Sequence, residues 1–170
     1  MSVLTKNEIL KRIEKGDLKI EPFDEKSIGP ASIDFHLGDA FRVFKTENGL
    51  YHIDKNANHE DITEPVEIDE YIVIEPKQTI HGITVEKLTL PDDLCAWIEG
   101  RSMIGRLGLT THITAGFIQP GVSNKTVLEI HNMGPLPLAL HPGIAICQII
   151  LMETKGKARY EGKFQTQEKP

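Results

Sequence analysis

Between positions 100 and 132 the chain gathers residue types that can hold an anion and move a proton. Gly100-Arg101-Ser102-Met103-Ile104-Gly105-Arg106-Leu107-Gly108-Leu109 places two arginines, a hydroxyl and three glycines in ten residues. Glycine lets backbone N–H groups approach an anion closely, and a guanidinium offers a planar fork to phosphate oxygens. A solvated turn with two surface arginines would have the same composition. The spacing Gly-x4-Gly-Lys-Ser/Thr is absent, so this is no P-loop.

Thr111-His112-Ile113-Thr114-Ala115-Gly116-Phe117-Ile118-Gln119-Pro120-Gly121 follows, with small residues that leave backbone polar groups open to a flat ligand. A tight turn in which His112 is only a satisfied core or surface histidine is the alternative. Val127-Leu128-Glu129-Ile130 then sets a carboxylate in an apolar strand. Strand period 2 puts Leu128 and Ile130 on one face and Val127 with Glu129 on the other. A carboxylate in a low-dielectric pocket is harder to ionise unless paired, which makes Glu129 a candidate general acid or base. The wet face of an amphipathic strand would also accept it, and Arg106 is a candidate partner.

The elements around this segment read as all-β with a short N-terminal helix. Thr5-Lys6-Asn7-Glu8 has capping-box spacing, Ile9, Leu10 and Ile13 share a helical face, and Gly16 can supply a left-handed stop. Strands are expected at 19–22, 32–37, 41–44, 71–74, 79–85, 95–99, 126–131, 136–140 and 144–152. Many short strands with Pro, Gly, Asn and Asp between them indicate a sandwich or barrel. The acidic, polar stretch 46–70, with Asn48-Gly49 and Asn56-Ala57-Asn58 as turn material, is expected to leave the sheet without forming a separate domain. All 170 residues are expected to make one domain, with 155–170 as a polar C-terminal arm.

A net charge of −6 with dispersed Lys and Arg argues against a duplex binder, which needs a basic stripe. It leaves room for a small phosphorylated ligand. No apolar run approaches the roughly 20 residues that cross a bilayer, and the N-terminal residues lack the order of a signal peptide, so a cytoplasmic location away from membranes is expected. Cys95 and Cys147 lie in apolar contexts outside any Cys-x-x-Cys pair, as buried thiols without a thiolate zinc site.

In order, Gly-Arg-Ser-x3-Arg-Leu-Gly-Leu, His-x-Thr-Ala-Gly, Pro-Gly, and Leu-Glu-Ile with a following Asn resemble the dCTP deaminase family, close kin of the trimeric dUTPases. The resemblance extends to Gly29-Pro30-Ala31-Ser32-Ile33-Asp34-Phe35-His36-Leu37-Gly38, to Pro137-Leu138-Ala139-Leu140-His141-Pro142-Gly143 and to the tail Tyr160-Glu161-Gly162-Lys163-Phe164-Gln165-Thr166-Gln167. It implies a distorted β-barrel or jelly-roll of the dUTPase-like type, a homotrimer with active sites shared between subunits, and Mg²⁺ bound through the substrate triphosphate. Glu129 would be the catalytic carboxylate, with Ser102 and Arg106 beside it. Arg101, Ser102, Met103, Ile104, Gly105 and Arg106 would supply phosphate contacts. Backbone groups near Thr114 and Ala115 would read the pyrimidine edge, Val127 and Leu128 would line the substrate site, and Gln148, Tyr160, Lys163 and Gln167 would close over the triphosphate.

The implied reaction is deamination of dCTP to dUTP and ammonia, with one carboxylate shuttling protons. Zinc deaminases instead carry His-x-Glu and Pro-Cys-x-x-Cys; this chain has neither, so its deamination is expected to be zinc-free. One departure stands out. Where the family places an aspartate that positions the water attacking the phosphate and touches the sugar 3′-hydroxyl, this chain has Gln119. Gln119 can bond the sugar but cannot act as an anionic base, so pyrophosphate release is expected to be weak or absent. The aromatic that stacks on uracil in the dUTPase arm is not evident. A bifunctional enzyme forming dUMP, a dUTPase acting on dUTP, and a non-catalytic regulatory trimer are the alternatives.

Overall fold

Short apolar runs at strand period assemble into two main sheets whose inner faces share one core. The structure is a computed structural model and describes residues 2–46 and 49–170; Asn48 of the expected Asn48-Gly49 turn lies outside them. In chain order the elements are α1 (Lys6–Lys15), β1 (Lys19–Glu21), a single 3₁₀ turn (Glu25–Ser27), β2 (Ile33–His36), β3 (Phe41–Phe44), α2 (His59–Ile62), β4 (Thr63–Val66), β5 (Ile72–Ile74), β6 (Thr79–Thr89), β7 (Leu94–Gly100), α3 (Ser102–Arg106), β8 (Leu109–Thr110), β9 (Phe117–Ile118), β10 (Ser123–Asn132), β11 (Leu138–Leu140) and β12 (Ala145–Glu153). The expected all-β fold with a short N-terminal helix is what forms.

One sheet runs β4-β3-β6-β10-β8, with β1 also on β6; a second runs β2-β12-β7-β9, and β11 pairs with β5. Leu88 of β6 and Leu128 and Ile130 of β10 meet Phe35 of β2, Ile98 of β7 and Ile149 and Leu151 of β12 in a single buried cluster. Burying one side chain of that size contributes roughly 1.5–3 kcal/mol, so the shared core dominates the cohesion of the sheets.

Three local expectations need correction. The Thr5 side chain makes no cap hydrogen bond, and the Glu8 carboxylate pairs with Lys11 at 2.6 Å, so the capping box does not close. The helix is held by burial of Ile9 and ended by Gly16 at φ 83°. The polar stretch 46–70 returns to the sheet at its end, because β4 pairs with β3 from Phe41↔Val66 to Phe44↔Thr63. The Arg/Gly-rich run after β7 is a one-turn helix, α3, rather than an open turn, and Ile104 anchors it in the core. The two cysteines are buried and unpaired, and burial pushes the Cys147 thiol far up. No described helix is long and apolar enough to cross a membrane.

Two segments leading to the site lock against each other. Asn132, fully buried, donates from Nδ2 to the carbonyls of Ile74 (2.9 Å) and Leu136 (2.8 Å) and accepts from Gly134 N–H (2.9 Å). Gly108 stands at φ +84°, where a Cβ would lie 2.9 Å from the Gly134 Cα. Strain and backbone overlap therefore act together at Gly108. Gly108→Ala should lower stability by about 2 kcal/mol or more, seen as a lower urea midpoint at an unchanged slope. A midpoint equal to that of the original protein would show that the two backbones can separate freely.

Candidate active site

β10 lies between β6 and β8 and alternates as its sequence dictates: Leu128, Ile130 and Asn132 are buried, while Val127, Glu129 and His131 stand on the other face. Between the pairs Lys125–Lys87 and Val127–Ile83 one β10 residue faces three on β6, a bulge of β6 in which the buried Thr84 hydroxyl accepts from Thr126 N–H at 3.0 Å. A bulge bends its strand and re-aims nearby side chains. Just beyond it, Val127 and Glu129 line a cavity of about 520 Å³, a size suited to a small organic ligand.

Glu129 is one-third exposed, and its Oε2 lies 3.1 Å from Nδ1 of His112 and 3.4 Å from the Thr114 N–H. The ring nitrogens of His112 are buried without a hydrogen-bond partner among the described residues, so the 3.1 Å approach is a close contact without hydrogen-bond alignment. Neighbouring Ala115 has φ 59°, a left-handed conformation that costs a residue with a Cβ about 1–2 kcal/mol. Held strain of this kind collects where backbone groups must be presented to a ligand. Gly116 completes the turn: its carbonyl accepts from Ile98 N–H at 2.8 Å, and a Cβ there would press on Ile98.

His81, the direct cross-strand partner of Glu129, lines the cavity from β6. Its ring meets Phe44 edge-on at 5.3 Å and His59 of α2 at 5.7 Å. Burial pushes the His81 imidazole below its ordinary value, helped by His59 and Arg42 and opposed by Glu129.

The structure brings Ala115, Gln119, Val127, Glu129, Tyr160 and Gln167 together around this cavity, with the Thr114 amide on Glu129. It does not bring α3 there. Arg101 bonds Asp34 at 2.9 Å and the Ala145 carbonyl at 3.1 Å, while Ser102, Met103, Gly105 and Arg106 are exposed outside the cavity lining. Two side chains expected at the site belong to the core: Ile104 anchors α3, and Leu128 is fully buried because strand alternation turns it away from Glu129. Only their backbones could touch a ligand. Within the subunit the carboxylate's neighbour is His112, and Arg106 lies outside the cavity lining. Gln148 donates to the Gly100 carbonyl at 3.0 Å, and Lys163 rests over the Phe164 ring; neither lines the cavity.

Sequence reading missed His59, His81, Asn124, Thr126 and Phe164, all of which line the cavity, and left His112 undecided. His81 is at the site because of the β6–β10 register, which one sequence does not display. Phe164 was readable only as a tail aromatic and is half exposed beside the cavity.

The tail reaches the site by adding itself to β10. Ser123 N–H donates to the Gln165 carbonyl at 2.9 Å, Lys125 N–H to Gln167 at 3.0 Å, and Tyr160 N–H to Pro120 at 2.9 Å. An exposed Lys87–Glu168 ion pair at 2.8 Å adds little.

A family model described as dCTP deaminase-like matches residues 3–154. A protein of Nocardioides sp. named "dCTP deaminase, dUMP-forming" is 41% identical over 178 residues, covering 99% of this chain and 92% of its own length. A Parafrankia sp. protein of the same name is 42% identical, covering 99% and 88%. Among solved structures, the 2'-deoxycytidine 5'-triphosphate deaminase from Agrobacterium tumefaciens matches with a TM-score of 0.68 at 24% identity, over 88% of this chain and 47% of that one. A mutant dUTPase from phage phi11 of S. aureus matches at 0.50 with 12% identity, over 86% and 96%. At these identities the structural matches establish the dUTPase-like fold.

The tail's backbone bonds predict a local effect. Ending the chain after Lys157 should leave the melting temperature nearly unchanged, since the tail adds no side chain to the core cluster. The Ser123 and Lys125 amides should then exchange with solvent many times faster, while amides deeper in β10 keep their protection. Unchanged exchange at both amides would refute the added-strand arrangement.

Proposed function

Because the chain belongs to the dCTP deaminase-like family, we propose that its cavity binds dCTP and that Glu129 drives hydrolytic deamination at cytosine C4. One observation carries the reading: Glu129 is the sole carboxylate lining the cavity among the described residues, set beside His112 and the Thr114 amide. Glu129 takes a proton from a water as its oxygen bonds to C4, and passes the proton to N3. The C4 hydroxyl then gives its proton through Glu129 to the amine as the C4–N4 bond breaks, leaving a C4 carbonyl and ammonia. Water and dCTP are thereby converted to dUTP and ammonia, with no metal-bound water required. The setting is the cytoplasmic nucleotide pool.

A triphosphate carries about four negative charges, yet neither lysine nor arginine lines the cavity among the described residues. This imbalance supports a homotrimer with shared sites, in which α3 of a neighbouring subunit brings Ser102 and Arg106 to Glu129. Arg106 is exposed and without an ion pair among the described residues, and Met103 (63% exposed), Leu107 (60%) and Ile113 (50%) offer an apolar face for a neighbour to cover. Gln148 and Lys163 would be recruited in the same way. Mg²⁺ fits as an ion carried by the substrate: a hard cation needs about six oxygens, and the cavity offers one carboxylate. The Mg²⁺ would neutralise phosphate charge, while Tyr160 and Gln167 hold the tail over the nucleotide.

The names of the 40–42% identical relatives support a second step, in which water attacks dUTP at phosphorus to give dUMP and pyrophosphate. Gln119 bears on its rate. It lines the cavity but is no base, so the phosphoanhydride step is the slower one and dUTP accumulates ahead of dUMP. A protein that stops at dUTP is the second reading, favoured by the same residue.

Incubation with dCTP and Mg²⁺, with products separated over time, tests both. Ammonia with dUTP followed by dUMP is expected; dUTP alone would favour the second reading, and binding without ammonia would leave a regulatory protein. Glu129→Gln should lower turnover by at least about a hundredfold while dCTP still binds. Gln119→Asp should raise the dUMP-to-dUTP ratio by about tenfold. Mixing inactive Glu129→Gln with inactive Arg106→Ala subunits should recover activity if sites are shared; no recovery in verified mixed trimers would rule sharing out.

A further inference from the structure

Arg42, His81 and Glu129 form a row across three adjacent strands. His81 is the register partner of Arg42 on β3 and of Glu129 on β10, so the three side chains leave the same face of the sheet. The cation in this row is fixed elsewhere: Arg42 donates to the Thr63 hydroxyl at 2.9 Å and the Thr63 carbonyl at 3.0 Å. The imidazole between them is wedged by Phe44 and His59, and its buried Nδ1 has no partner among the described residues. A buried polar atom without a partner is costly and calls for an explanation.

We propose that His81 is a positioning residue for Glu129, holding the carboxylate toward Thr114 and His112 from across the sheet. The inference rests on Glu129 being the deaminating carboxylate. His81 touches no reacting atom in this arrangement; it limits the space through which the Glu129 side chain can swing. The groups facing the row are Arg42 from β3, His59 from α2, His112 and the Thr114 amide from the turn after β8, and Tyr160 from the tail. Burial, with His59 and Arg42 nearby, lowers the His81 imidazole below its ordinary value, so the ring is neutral near pH 7. Protonation at lower pH would place a cation beside Glu129 and tie up the carboxylate that must shuttle protons.

Two measurements test this. The first needs no turnover: the His81 ring is titrated by NMR in the original protein and in Glu129→Gln. Removing the carboxylate should move the His81 midpoint further down, because Glu129 favours the charged ring. An unmoved midpoint would overturn the coupling. The second compares dCTP kinetics of His81→Leu and His81→Gln. The leucine variant should lose about tenfold in kcat with KM within about twofold, and glutamine should restore most of that loss. Both variants should lose the part of the acid limb of kcat that follows His81 titration. A leucine variant whose kcat and KM worsen together under an unchanged pH profile would mark His81 as merely structural. If the original protein never deaminates dCTP, the proposed function fails, and the titration still decides whether His81 and Glu129 are coupled.

Discussion

Leu128, Ile130 and Asn132 send every second side chain of β10 into the interior, and this alternation fixes where Val127 and Glu129 must stand. β10 is flanked by β6 and β8, so it cannot slip by one residue without burying a carboxylate and exposing a core leucine. That penalty pins the register. The pinned register in turn places His81 opposite Glu129 and brings the turn carrying His112 against the carboxylate. The site is thus a by-product of a core that could pack in only one way.

Its electrostatics follow from the same geometry. A single carboxylate sits among three imidazoles, a backbone amide and apolar side chains, with no fixed cation of its own chain lining the cavity among the described residues. Such a site can hold a proton-transfer group for a flat heterocycle. It is poorly equipped, alone, for a polyanion. The arginine-bearing α3 stands outside it, held by Ile104 in the core and by Arg101 on Asp34. Under the proposed function, the base would sit in the cavity and the phosphates near α3, and their separation within one subunit is a physical reason for such a chain to work as an assembly.

Strand period made the alternation at 127–130 readable, and residue order made the family readable, because both are local patterns. The same local reading placed the helix stop at Gly16. What failed was non-local. Thr5-x-x-Glu8 has the spacing of a capping box, but the carboxylate found Lys11 instead. Within one subunit a one-turn helix holds Arg106 away from Glu129, which local spacing does not display. His59 and His81 carry no local signature at all, since only pairing across the sheet and the packing of α2 bring their rings within 5.7 Å. Gln119 was legible both as a position and as a chemical departure.

The arm's backbone bonds to Ser123 and Lys125 have a colloidal consequence. While seated, the arm closes a strand edge that would otherwise present free N–H groups to any passing chain. Whenever the arm lifts, that edge is uncovered a few residues from the cavity. If ligand leaves only when the arm lifts, ligand exchange and self-association draw on the same open population, and a change that hastens release also shortens the protein's life in concentrated solution. Selection for fast product escape would meet its limit in solubility rather than in chemistry.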